Sequence, residues 1–120
     1  MLVSFSEKGL QAKFILILDG MKVERRLNRY LSLVPKNGII LNEEFKEQSI
    51  HLGIHFPKHE SGHDKTYRFE IKRLPTQILP DKTKVTYEKD KVTIRLTKKV
   101  NEPWQSYKDS DFETIHLVKN

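Results

Sequence analysis

The chain has 120 residues, 22 basic against 16 acidic side chains, a formal net charge of +6, 37% hydrophobic residues and no cysteine. That length suits one domain, at roughly 100–200 residues per domain, and the missing cysteines exclude a disulfide scaffold, a thiolate metal site and a cysteine nucleophile. A pI near 9.5 predicts attraction to acidic partners, whether protein, nucleic acid or anionic lipid, and says nothing about fold.

Leu2 to Phe5 is a weak strand candidate, after which Lys8 and Gly9 interrupt the stretch before an apolar leader segment develops. Phe14 to Leu18 is the longest purely apolar run and is closed by Asp19 and Gly20. It falls far short of the roughly 20 residues that cross a bilayer, and it predicts a strand covered on both faces. Val23, Leu27, Tyr30, Leu31 and Val34 then recur at helical spacing, with Lys22, Arg25, Arg26 and Arg29 between them. This pattern predicts an amphipathic basic helix over 21–34, ended by Pro35, Asn37 and Gly38.

Gly38 to Leu41 is a second weak strand, and Glu43 and Glu44 read as a polar turn. Ile50, Leu52, Ile54 and Phe56 alternate with His51, Gly53 and His55 up to Pro57, the period of a half-buried strand. Lys58 to Lys65 reads as a surface loop. Tyr67, Phe69 and Ile71 alternate with Arg68, Glu70 and Lys72, and Pro75 ends the segment. Thr83, Val85 and Tyr87 alternate with Lys84 and Thr86. After the turn from Glu88 to Lys91, Val92, Ile94 and Leu96 alternate with Thr93, Arg95 and Thr97, which predicts a hairpin with a cationic outer face. In the tail, 108–120, Phe112, Ile115, Leu117 and Val118 would add a strand or dock on the core. These seven short strands predict an all-β chain, a seven-stranded antiparallel β-sandwich over residues 1–107 with one inserted short helix.

From Pro80 to Ser106 the chain reads PDKTKVTYEKDKVTIRLTKKVNEPWQS. Pro80, Asp81, Lys82, Lys91, Val92, Ile94, Leu96, Lys98, Trp104 and Ser106 fall without a gap on the pattern of a CS domain, and the segment resembles the C-terminal half of that family. A looser similarity extends back through LNEEFKEQSIHLGIHF and KFILILDG. The resemblance implies a compact antiparallel sandwich, similar to small heat-shock domains, and a non-enzymatic adaptor or cochaperone. It further implies docking on the ATPase domain of heat-shock protein 90 through one sheet face. Of the residues that suppressor-type cochaperones use there, the lysine is kept as Lys91. Ser6, Ile17 and Thr93 stand where those proteins have a tyrosine, an aromatic residue and a glutamate.

His51, His55, His59 and His63 recur every four residues, but Gly53, Pro57 and Gly62 forbid the helix that would stack them on one metal. On a strand His51 and His55 lie about 13 Å apart, so surface histidines are expected and no cofactor is predicted. No nucleophile triad or glycine-rich phosphate loop is present, and no enzyme is expected. Lys82, Lys84, Lys91 and Arg95 project from neighbouring strands as a cationic patch able to receive carboxylates, which a solvated lysine face would equally explain. With Thr93 and the helix arginines Arg25, Arg26 and Arg29 they form the expected partner-binding set, while Trp104 is expected to cover one end of the sandwich.

The function these readings predict is a monomeric CS-type interaction module in chaperone-linked assembly, cytoplasmic with a nuclear alternative, that docks on an acidic protein surface and not on a membrane. Two alternatives remain open. One is nucleic-acid binding through the basic faces; the other is a holdase similar to small heat-shock proteins, which would need exposed apolar surface.

Overall fold

In a computed structural model the described residues are 2–25, 33–57, 64–105 and, through its backbone, 115–119. Alternation of apolar and polar residues sets the architecture. β1 (Leu2–Lys8) and β2 (Gln11–Ile17) form a hairpin around the two-residue loop Gly9-Leu10. The loop's first residue has φ +59°, the left-handed conformation that a tight turn of this hand asks of glycine. Ala12, Phe14 and Leu16 point into the core, whereas Lys13, Ile15 and Ile17 stay half-exposed. β2 is therefore open on one side, contrary to the two-sided cover that its apolar run predicts.

The 21–34 segment departs most from expectation. Val23–Arg25 (β3) and Leu33–Pro35 (β4) are strands of a two-stranded antiparallel ribbon, so the helix is overturned at both of its ends. Local bonding accounts for this. The Asn37 side chain accepts from the Lys22 N–H and donates to the Gly20 carbonyl, each at 2.8 Å, and the Lys36 N–H donates to the Lys22 carbonyl at 2.8 Å. These bonds close the base of the ribbon and hold residues 20–22 beside 36–37. Arg26 and Arg29 lie outside the described residues, as do His59 and His63.

β5 (Ile39–Phe45) contains Glu43 and Glu44, which are thus strand residues and not a turn. β6 (Ile50–Phe56) and β7 (Lys65–Ile71) follow the predicted alternation. A 3-10 turn, Pro80–Lys82, leads into β8 (Lys84–Glu88) and β9 (Lys91–Thr97), and the tail adds β10 (Ile115–Lys119) antiparallel to β7. Among the described residues there are ten strands, nine of them within 1–107 in place of the seven expected there and one in the tail, ordered β1-β2-β9-β8, β10-β7-β6-β5 and β3-β4, and every pairing is antiparallel.

The two four-stranded sheets share one hydrophobic core. Phe14 of the first meets Phe69 of the second with ring centroids 5.2 Å apart, and Phe5 tilts onto Phe14 at 5.0 Å. Fully buried side chains of this size each stabilise the fold by about 1.5–3 kcal/mol. At one end of β2 the core is closed by Leu18 and Met21, where Asp90, at φ +60°, accepts the Gly20 N–H on its carboxylate at 2.8 Å. At the other end it is closed by Leu74, Ile78 and Trp104, all buried. No helix among the described residues is long and apolar enough to cross a membrane.

Candidate functional site

Because side chains alternate along a strand, the outer face of β1-β2-β9-β8 can be read directly from the strand register. Ser6 pairs with Lys13, Lys13 with Arg95, and Arg95 with Lys84. Three cations therefore occupy one cross-strand row, on neighbouring strands about 4.8 Å apart. Among the described residues no carboxylate lies within ion-pair distance of Lys13, Arg95 or Lys84. Arg95 makes one side-chain hydrogen bond of 3.3 Å, donated from Nη1 to Thr86 Oγ1. The next row holds Ser4, Ile15, Thr93 and Thr86, and the one beyond it Leu2, Ile17, Lys91 and Glu88.

The predicted partner-binding residues distribute unevenly over this frame. Lys84 and Arg95 are exposed and stand side by side. Lys91 lies two rows away, half-exposed and ion-paired with Glu88 at 3.6 Å across the hairpin turn. Thr93 belongs to the same face but is only 2% exposed between its neighbours, so it offers a partner no surface. Lys82 is exposed on the 3-10 turn, outside the strand rows. Arg25 is exposed on β3, opposite Leu33 in the ribbon and not in the cation row. Lys13 was not among the predicted residues, yet it forms the β2 end of the cation row, beside Arg95. Its signal was a strand beginning at Gln11 instead of Phe14, with alternation of Gln11, Lys13 and Ile15 against Ala12, Phe14 and Leu16.

Along the same face, at the β1–β2 turn, a depression of about 300 Å³ is lined by Ser6, Lys8, Gln11, Lys13 and Arg95, with Glu7 and Ala12 beneath. The Glu7 carboxylate is turned toward the core. It accepts the Trp104 backbone N–H at 2.9 Å and the Gln105 N–H at 3.3 Å, and pairs with Lys98 Nζ at 3.4 Å. Lys98 is 1% exposed, donates to the Glu102 carbonyl at 3.0 Å and lies 5.5 Å from the centre of the Trp104 ring. Trp104 is fully buried, donates its indole N–H to Thr76 Oγ1 at 2.8 Å and stacks on Phe5 at 6.4 Å. This inward node supports the face from behind by fixing β1 against the segment after β9.

The second sheet presents different chemistry. His51 Nδ1 lies 3.8 Å from Glu70, and His55 Nδ1 is hydrogen-bonded to Thr66 Oγ1 at 2.8 Å. No group of three metal-ligating side chains occurs among the described residues. Tyr87 of β8 reaches across to β5 and donates to Glu43 at 3.3 Å; burial, and then the Glu43 charge, push its pKa well above the usual phenol value. The free edge of this sheet, β5, leaves Ile39, Ile40 and Leu41 exposed at 54%, 37% and 49%. No family model matches the chain, no curated protein matches it in sequence, and no solved structure matches it.

Proposed function

We propose that this chain is a non-enzymatic interaction domain of the CS type, a β-sandwich adaptor or cochaperone that docks a carboxylate-rich protein surface on the outer face of the β1-β2-β9-β8 sheet. The observation that carries this reading is the row Lys13, Arg95, Lys84, which has no acidic partner among the described residues. Like charges directly opposite one another on neighbouring strands destabilise a sheet by a few tenths of a kcal/mol to about 1 kcal/mol per pair. Such a row stands against the fold's own interest, and a bound polyanion offsets that cost. Arg95 adds a planar fork suited to bidentate contact with carboxylate.

Two four-stranded sheets over one core are compatible with the sandwich that the resemblance implies, and of the residues on which that resemblance rests Pro80, Asp81 and Lys82 form the 3-10 turn and Lys91, Val92, Ile94 and Leu96 lie on β9. The partner it nominates is the ATPase domain of heat-shock protein 90, in the cytoplasm or nucleus. The test is an NMR titration of labelled chain with that domain, and separately with a mixed RNA oligomer, at near-physiological salt. Saturable shifts at Lys13, Lys84 and Arg95 with the protein alone support the reading. Shifts with RNA alone, fading steeply as salt rises, replace it with nucleic-acid binding.

A holdase is favoured by a separate observation, the exposed apolar edge of β5 together with Leu2 on β1, 73% exposed. Beside that edge Glu24, Val34, Pro35, Gly38 and Ile40 line a cavity of about 370 Å³. A sharp monomer in size-exclusion chromatography, with no protection of a heated client protein, eliminates this second reading.

A further inference from the structure

We infer that the depression at the β1–β2 turn is a phosphate seat, taking a phosphorylated serine or threonine side chain within an acidic protein segment. The inference rests on the docking reading of the same face and adds the chemistry of one occupant.

Three cations, Lys8, Lys13 and Arg95, border a depression of about 300 Å³, together with the Ser6 hydroxyl and the Gln11 carboxamide. Register places them as a compact group: Lys8 lies opposite Gln11, Ser6 opposite Lys13, and Lys13 opposite Arg95. Glu7 lines the depression too, but its side chain is 14% exposed and its oxygens are engaged by Lys98 and by the N–H groups of Trp104 and Gln105. The outward groups are therefore donors backed by positive charge. One carboxylate brings a single charge and two oxygens to such a group. A phosphomonoester brings about −1.5 to −2 charge and three strong acceptor oxygens, a closer match to three cations of which one is a guanidinium able to bind bidentately.

The source of the phosphate is protein and not RNA, because the outward positions of these four strands carry no aromatic ring. Phe5, Phe14 and Tyr87 all turn inward, leaving bases no platform on which to stack. The neighbouring cation, Lys84, extends the row beyond the depression toward the β8 edge, where flanking acidic side chains of the segment would lie.

The experiment compares two peptides of the same acidic sequence, one with phosphoserine and one with glutamate at the central position. Each is titrated into labelled protein at near-physiological salt, with inorganic phosphate and a short RNA as further arms. The phosphopeptide is expected to bind roughly tenfold tighter and to shift Ser6, Lys8 and Lys13. The double variant Lys8→Gln, Lys13→Gln should bring the two peptides to parity while its spectrum remains that of the folded chain. Lys84→Gln, outside the depression, should weaken both peptides alike. Equal binding of the two peptides, or a preference that survives the double variant, overturns the phosphate seat and leaves acidic docking standing. Binding of neither peptide overturns both readings. Inorganic phosphate or RNA binding at these residues as tightly as the phosphopeptide overturns the assignment to a protein segment.

Discussion

Replacing Glu7 by glutamine should cost more stability than any other single polar change in the first sheet. The carboxylate is the countercharge of Lys98, whose side chain is 1% exposed, and it receives two backbone N–H groups from the chain after β9. Glutamine retains an acceptor for Trp104 but removes the negative charge, leaving the Lys98 ammonium with the Glu102 carbonyl at 3.0 Å and the Trp104 ring at 5.5 Å. Removing one partner of a buried pair costs about 3–5 kcal/mol, because the remaining charge stays desolvated. At roughly 4 °C of midpoint per kcal/mol for a domain of this size, the thermal midpoint should drop by about 12–20 °C. Urea unfolding followed by Trp104 fluorescence gives the free energy directly. The paired variant Lys98→Met removes the stranded charge, so Glu7→Gln combined with Lys98→Met should be more stable than Glu7→Gln alone. A loss under about 1 kcal/mol for Glu7→Gln, or strictly additive effects in the cycle, would show that the pair is not an electrostatic unit.

Gly38→Ala should lose about 1–3 kcal/mol, measured by urea midpoint, because a Cβ there would meet the buried Phe56 ring at 2.8 Å and Ile54 at 3.1 Å. Stability should fall as pH rises above 10, since Tyr87 keeps its proton in the fold to a higher pH than in the unfolded chain, where it ionises near its ordinary value. Tyr87→Phe should flatten that decline, with Tyr67, shifted upward by burial and by Asp19, supplying what is left; an unchanged slope refutes the assignment. Arg95→Gln and Lys13→Gln should leave the thermal midpoint unchanged or slightly raised, because each relieves like-charge contact, while acidic-partner binding measured by calorimetry weakens. A midpoint lowered by several degrees in either variant would mean that the row has structural partners.

Strands with strict alternation were legible from the residues alone. Ile50 to Phe56, Tyr67 to Ile71 and Val92 to Leu96 each bury one residue set, and a slip by one position would turn that set to water. The ribbon was not legible, because Val23, Leu27, Tyr30, Leu31 and Val34 fit a helical stripe as well as two short strands. The deciding interactions are side-chain bonds from Asn37, fifteen residues away from Lys22 in sequence. The cation row was half legible. Lys84 and Arg95 belong to one hairpin and can be paired by counting, whereas Lys13 joins them only through the β2 to β9 pairing, which no local pattern announces. Lys98 was the least legible residue: the alternation of Val92, Ile94 and Leu96 carries its position to the inward face while its charge reads as solvent-facing, and its burial depends on Glu7 and Trp104 arriving from distant parts of the chain.

The strand order β1-β2-β9-β8 also fixes when the protein can fold as it is made. β1 and β2 leave the ribosome first, but β2's other neighbour is β9, and Glu7 receives its backbone donors only from residues 97 and 98 positions later. The first sheet must therefore wait as an unfinished hairpin while the strands of the second are synthesised, its apolar side without a cover. Release of folding force on a stalled nascent chain should appear late, after Trp104 has cleared the exit tunnel. Until then the Phe5 and Phe14 face is the part of the newborn chain in most need of a chaperone's protection.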